Sequence, residues 1–408
     1  MNTPRLEIDL GKISANARIL VERLGHRGVS VTGVTKGALG CPAIASALLE
    51  SGVCGIGDSR IENIERMRAA LGSGPAMTLI RSPMLSQVER VVRSADISFN
   101  TEVAVVKRLS AAARIAGVTH GVVLMVELGD LREGIMPDAL PAAVREILHL
   151  PNIALKGIGA NLACLSGTAP DITNMATLSA LACAIEEAFR ISLDIVSGGN
   201  SANIDWAFSA EEIGRVNDLR LGEAILFGRE ALNRNPIDGL HGDAFELVAE
   251  VIEAKVKPTR PWGTIAQNAF GEIVPVADRG KISQAILAVG RQDTDPAGLQ
   301  PPAGMTILGA SSDHLVLDTS GHMPRIGDEM VFGINYTALL RAMTSPFVEK
   351  VILPSPASRV QQPRAVIEQS ESAKIVTGAP IRKIPRRTSG VRVRRKTDTS
   401  AMSAIVAC

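Results

Sequence analysis

Between about residues 29 and 228, short β-branched runs alternate with longer stretches whose apolar residues recur every three or four positions. No other feature limits the fold of this chain as strongly. The runs fall at 29–35, 54–57, 77–80, 97–99, 121–126, 153–159, 193–196 and 219–221. Helical patterns separate most of them, as at 101–115, 139–148 and 175–189. Eight strand–helix alternations in about 200 residues are the count of a (β/α)8 barrel. An open doubly wound sheet is the main alternative, but no Gly-x-Gly-x-x-Gly follows the first strand.

After about Asn235 the texture changes. Short strands at 247–256, 286–289, 305–308, 315–318 and 329–332 are separated by Gly, Pro and Asp turns, with few helix signals. The expected architecture is therefore α/β: a TIM-like barrel followed by a mainly β C-terminal domain. A chain of 408 residues is long enough for both. The expected division is an N-terminal strand (1–10) joining the β domain, the barrel (11–235), the β domain (236–352) and a tail (353–408). From Pro354 onward eleven Lys and Arg face three acids, so the tail carries about +8 and the rest about −7. Such a tail could touch nucleic acid or an anionic membrane, but it lacks interleaved aromatics and any period. A solvated, disordered extension is expected. The mildly acidic body argues against a nucleic-acid enzyme.

No apolar run is long enough to span a bilayer, and the first residues do not read as a signal peptide. The five cysteines are an odd number without paired spacing, so neither a disulfide framework nor a zinc site is indicated, and a reducing cytoplasm fits.

In a barrel, function collects at the C-terminal ends of the strands. Lys36 ends the apolar run Val-Thr-Gly-Val-Thr-Lys and is followed by Gly-Ala-Leu-Gly. Lost solvation there would lower its pKa and free the amine for Schiff-base chemistry, although a lysine snorkelling to the rim would look the same. Ser197-Gly-Gly-Asn-Ser201 follows a strand and precedes a helical stretch, and Arg220-Leu-Gly-Glu223 adds a glycine turn at the next strand end. Two such loops could cradle one phosphate, or be plain turns. A phosphate site beside a strand-end lysine points to pyridoxal phosphate, which needs both.

Pro4-Arg-Leu-Glu-Ile-Asp-Leu, Val-Thr-Lys36, Asp130-Leu-Arg-Glu-Gly134, Gly157-Ile-Gly-Ala-Asn161, the Ser197 loop and Arg220-x-Gly222 resemble, in order, the alanine-racemase-like fold-type III pyridoxal-phosphate enzymes. The match runs over about residues 4–352. Asp58-Ser-Arg60, Gly290-Arg-Gln-Asp-Thr-Asp295 and Leu308-Gly-Ala-Ser-Ser-Asp-His314 look most like the ornithine racemase branch. The resemblance implies racemisation of a free amino acid by two-base proton transfer, with ornithine favoured and alanine or another amino acid possible. It implies a homodimer with shared active sites. A lyase or aldolase on the same scaffold and a non-catalytic cofactor-binding protein are the other readings.

Carried across residue by residue, the resemblance makes Lys36 the Schiff-base lysine and one proton-transferring base. Arg220 is implied to meet the pyridine nitrogen, and Arg132 the cofactor's phenolic oxygen and the substrate carboxylate. Ser197, Asn200, Ser201, Gly222 and Glu223 fall at phosphate-loop positions, and Tyr336, the only tyrosine, is implied to reach the phosphate. Three positions depart from the pattern. A tyrosine four residues after the lysine is here Gly40, the histidine stacked on the cofactor ring is Asn161, and the partner subunit's catalytic tyrosine is Arg291. An arginine stays protonated and makes a poor base. Candidates for the opposite face are Asp293, Asp313, His314 and Cys164, with His314 having the best-suited ordinary pKa and Asp313 beside it to orient it. For a basic substrate side chain, Asp58, Asp130, Glu133 and Asp293 are possible acids.

Overall fold

The structure, a computed structural model, describes residues 3–273 and 277–353 together with the backbone of 393–394. The basic tail from 354 otherwise lies outside the described residues, and so does its expected disorder.

Strand β1 (Arg5–Asp9) leads into a helix at Leu10–Gly25, and eight parallel strands follow. These are β2 (Ser30–Val34), β3 (Gly55–Asp58), β4 (Met77–Leu79), β5 (Ile97–Asn100), β6 (His120–Met125), β7 (Ile153–Gly159), β8 (Ile195–Gly199) and β9 (Asp218–Leu221). They close in sequence order, with β9 pairing back onto β2 through Ser30↔Asp218 and Thr32↔Arg220. Closure removes every strand edge, so the backbone ladder is complete. Each strand alternates its side chains. Ile56, Leu124, Ile158, Val196 and Leu219 join the large core under the helices, while Phe99, Val123 and Met125 form a separate cluster.

Seven of the eight barrel strands start and stop within a residue or two of the expected positions. The exception is β8, expected at 193–196 and found at Ile195–Gly199. Gly198 and Gly199 are not a turn: they continue the strand through a bulge against β9, between Ser197 and Gly199. Gly199 has φ +151°, and a Cβ there would sit 2.1 Å from Asn203 Oδ1. A run of small residues looks like a loop in sequence, but here Gly199 makes room for the Asn203 side chain of the following turn, and Gly198 lets Val216 and Leu219 of the β9 segment come close.

The C-terminal strands are β10 (Phe245–Pro258), β11 (Lys281–Leu287), β12 (Leu299–Gln300), β13 (Thr306–Ala310), β14 (Leu315–Asp318), β15 (Glu329–Ile334) and β16 (Glu349–Leu353). They pair in the order β12-β15-β10-β11-β14-β13. Strand β1 pairs antiparallel with β10 and parallel with β16, so the first strand of the chain belongs to this sheet. Val393–Arg394 pairs with Glu329–Met330 at the backbone. A helix at Tyr336–Thr344, capped by the Asn335 side chain on Ala338 N, interrupts this mostly β region and packs on the turn that carries Lys36. No helix among the described residues is long and apolar enough to cross a membrane.

One barrel residue makes the fold sensitive to acid. His120 is buried against Ser98, its Nε2 lying 2.8 Å from Ser98 Oγ, and burial pulls its pKa down to about 4 against a weaker opposing effect of Asp96. The unfolded chain, with an ordinary histidine pKa of about 6.5, binds this proton more readily than the native state. Stability therefore falls as pH drops from about 6.5 to about 4, by about 3 kcal/mol at most from this group. Urea melts at pH 7 and pH 4.5 should show that loss, and His120→Gln should abolish this part of it. An unchanged pH dependence in the variant would remove the assignment.

Candidate active site

Lys36 leaves β2 into a short 3-10 turn, Lys36–Ala38, whose far side is buried through Ala38 and Cys41. The turn tightens because Leu39 and Gly40 both take positive φ (51° and 59°). A Cβ at Gly40 would lie 2.5 Å from Asn63 Cβ, so this position has no room for the tyrosine that the resemblance places there. Behind the lysine, Asp58 accepts from Thr35 Oγ1 (2.8 Å), Arg60 N (2.9 Å) and Asn63 Nδ2 (3.0 Å). Burial pushes the Asp58 carboxyl up and these bonds oppose it. Asp58 ties the β2 and β3 ends together and is not available as an acid for a substrate amine.

Lys36 opens into a cavity of ≈ 600 Å³ at the C-terminal mouth of the barrel. Arg132, Glu133, Asn161, Cys164, Asn200, Ser201, Arg220, Gly222, Glu223 and Tyr336 line the same space. So do Arg81, Ser82 and Arg234. Residues separated by as many as 300 positions thus meet at one mouth, and eleven of the expected site residues are among them. Asn200 organises one wall: its Nδ2 donates to Asn161 Oδ1 (3.1 Å), Leu162 O (2.8 Å) and Cys164 Sγ (3.4 Å), and its Oδ1 accepts from Ala202 N (2.8 Å). Ser201 Oγ accepts from Ala224 N (3.0 Å), which joins the turn after β8 to the turn after β9.

Arg220 is almost completely buried at the end of β9. Its Nη1 donates to Ser197 Oγ (2.5 Å), its Nη2 donates to Ala160 O (2.7 Å), and its guanidinium lies 4.9 Å from the Phe99 ring centre. Ser197 in turn donates to Asp218. Ser197 is the expected site residue that moves most: it lies inside β8, fully buried and off the cavity wall, rather than in a phosphate loop. The cause is the bulged strand, which carries the chain three residues further before it turns.

On the opposite wall Arg132 pairs with its neighbour Glu133. Asp130, two residues earlier, is buried and accepts from the backbone N–H groups of Cys164, Leu165 and Ser166 at 3.1–3.2 Å. It anchors the loop that presents Cys164 and is likewise no substrate-facing acid. Glu133 and Glu223 are the cavity's carboxylates, the latter 3.1 Å from Arg234 Nε. Burial pushes the Glu223 carboxyl up, opposed by Arg234. Tyr336 lies at the start of its helix, edge-on to Phe227 and against Gly37, where a Cβ would be 3.0 Å from the tyrosine ring. Burial, reinforced by Glu223, pushes its hydroxyl up to about 12, so it stays protonated.

Three of the expected bases for the opposite face lie away from this cavity within the chain. Asp293 is buried and accepts from Gly290 N (3.0 Å) and Ser345 Oγ (3.1 Å), which makes it a loop anchor. Asp313 and His314 sit on the exposed turn between β13 and β14, with His314 Nδ1 2.8 Å from Asp313 Oδ1. That turn packs on the loop carrying Arg291, whose N–H donates to Ser311 O (2.9 Å) and whose guanidinium stacks 4.1 Å from the Phe270 ring. Cys164 is the member of the set that lines the cavity.

The residues present suit pyridoxal phosphate. They offer an amine at a strand end, a buried guanidinium on the floor, and two joined turns with hydroxyl and glycine positions for a phosphate. Asn161 Nδ2, on the cavity wall, is a buried donor without a hydrogen-bond partner among the described residues, as expected of a group that faces a ligand. Sequence reading missed Asp218 and Arg234. Asp218 could have been found from its place two residues before Arg220 on one strand face, while Arg234 lies in an irregular loop that gives no such signal.

The sequence pattern of the alanine racemase N-terminal domain matches residues 8–230. Over 354 residues the chain is 38% identical to ornithine racemase of Acetoanaerobium sticklandii and 39% identical to lysine racemase of Thermotoga maritima. Each match covers 86% of this chain and 99% of the relative. The fold is similar to that of alanine racemase from Streptomyces coelicolor A3(2), with a TM-score of 0.68 and 20% identity over 86% of this chain and 97% of that one. On these grounds the chain belongs to the alanine racemase family of pyridoxal-phosphate enzymes.

Proposed function

We propose that this enzyme racemises a free basic amino acid, with ornithine the first candidate, by exchanging the Cα proton between two faces. The observation that carries the substrate reading is a carboxylate, Glu133, on the cavity wall next to Arg132, together with the two similar enzymes named for ornithine and lysine. Arg132, paired with Glu133 in the structure, would exchange that partner for the substrate carboxylate and so release Glu133 to meet the side-chain ammonium. When bound, the cofactor withdraws electrons from Cα and so makes its proton exchangeable. Lys36 would hold the cofactor covalently, then take or return the proton on its own face. Arg220 would donate to the ring nitrogen, and since a guanidinium does not give up its proton, that nitrogen stays unprotonated. Asn200, Ser201, Gly222, Glu223 through its backbone amide, and Tyr336 would surround the phosphate.

The opposite face needs a second base. We assign it to the His314–Asp313 pair of a second copy, in a homodimer with shared sites, with Cys164 as the alternative within the chain. The four described cysteines are free thiols, which suits the reducing cytoplasm.

Incubation of the pure protein with L-ornithine in deuterated water should give D-ornithine carrying α-deuterium. If ornithine and all other free amino acids stay inert, the reading fails. His314→Gln should lower racemisation by about 10²–10³-fold while α-deuterium still enters, with retained configuration, the one ornithine enantiomer whose Cα proton faces Lys36, because Lys36 still serves its own face. If Cys164→Ala shows that signature and His314→Gln does not, the thiol is the second base.

A further inference from the structure

Asp218 is buried inside the barrel, two residues before Arg220 on the same face of β9. Its carboxylate accepts from Ser197 Oγ on one oxygen and from Thr32 Oγ1 (2.7 Å) on the other. A serine hydroxyl has one proton to give. That proton goes to Asp218, so the oxygen's lone pairs face Arg220 Nη1 at 2.5 Å. The direction of the chain is thereby fixed: guanidinium to hydroxyl to carboxylate. The register explains how the three meet, since Ser197 pairs with Asp218 across β8–β9 and Thr32 pairs with Arg220 across β2–β9.

A guanidinium buried without a countercharge is costly, and removing one member of such a pair costs more than the pair gains. Burial pushes the Asp218 carboxyl up, and the Ser197 hydroxyl and the Arg220 charge oppose it. Burial likewise pulls Arg220 down, and Asp218 opposes that first.

We propose that Asp218, acting through the Ser197 hydroxyl, is a positioning residue that fixes Arg220 at the cavity floor and balances its charge there. This rests on the reading of Arg220 as the residue that faces the cofactor ring. A balanced, immobile guanidinium donates a hydrogen bond of set direction and draws electrons from the ring only weakly, which keeps the chemistry to proton exchange. Thr32 holds the outer oxygen of Asp218 and has the smaller part, because its loss leaves the arm to Arg220 intact.

The test uses the full-length protein reconstituted with pyridoxal phosphate, comparing Asp218→Asn, Ser197→Ala and Thr32→Val with wild type. For the first two, cofactor affinity by titration should weaken about tenfold and the visible absorption band should shift. On the amino acid that wild type turns over, kcat should fall about 10–100-fold with KM changed by less than about threefold. Thr32→Val should stay within about threefold on each measure. If Ser197→Ala and Asp218→Asn bind the cofactor with wild-type affinity and an unmoved band, the proposal is overturned, even where their melting temperatures drop. Should Asp218→Asn fail to fold, Ser197→Ala decides alone. A wild-type protein that binds the cofactor but racemises nothing would sink the functional reading while leaving the affinity and band comparison decisive for the relay.

Discussion

Lys36→Ala is expected to lower racemisation by on the order of 10³-fold or more and to leave no cofactor covalently attached. The size follows from the lysine's two duties, covalent anchoring and proton transfer on one face, since a single substitution removes both. Its setting supports the assignment. The turn after β2 is held by Asp58, Thr35 and Asn63 on one side and by the Tyr336 helix on the other, so the amine starts from a rigid base. Borohydride reduction followed by peptide mapping should place the reduced adduct on the Lys36 peptide of wild type and nowhere in the variant. An adduct retained on another lysine would refute the role. The melting temperature should change little, because Lys36 is exposed to the cavity.

The largest effect on stability is expected in the C-terminal sheet, to which β1 belongs. Arg5, on β1, is nearly sealed from solvent and bridges two buried carboxylates. It donates to Glu7 Oε1 from Nε (3.0 Å) and Nη2 (2.9 Å), and to Glu329 from Nη1 (2.9 Å) and Nη2 (2.8 Å). Arg5→Ala removes the buried cation that Glu7 and Glu329 share, with its four hydrogen bonds, and should cost about 3–5 kcal/mol. Urea denaturation at pH 7 measures it. A loss below about 1 kcal/mol would show that the sheet tolerates removal of the shared cation. Arg5→Lys should fall between, keeping the charge but not the fork that reaches both partners.

The barrel was legible because its signal is local. A β-branched run with period two and a helix with period 3.6 each declare themselves within a dozen residues, and eight such alternations admit few closures. Lys36, Arg132, Asn161, Asn200, Ser201 and Arg220 were legible for a related reason: polar residues at strand ends must face the mouth once the strands are parallel; Tyr336, which starts a helix outside the barrel, was reached only through the family resemblance. Ser197 was misplaced because Gly198-Gly199 has the composition of a turn, and composition does not reveal that a neighbouring strand passes close enough to need glycine. The β domain hid the Tyr336–Thr344 helix, whose nine residues give too short a period to stand out among strands.

Pairing was not legible at all. Asp58, Asp130 and Asp293 read equally well as substrate acids, and all three prove to be buried anchors of backbone and hydroxyl donors. Which acid is spent and which stays free depends on partners distant in sequence. Only closure of the barrel and docking of the C-terminal sheet bring those partners within hydrogen-bond reach. The sequence alone determined the alternation, the strand-end lysine and the family. The tertiary structure decided that Glu133 and Cys164 face the cavity, that His314 does not within one chain, and that Asp218 stands behind Arg220. The physical reason is one of range: periodicity and turn chemistry act between neighbours along the chain, whereas the charge balance of a site is set across strands that the fold alone makes adjacent.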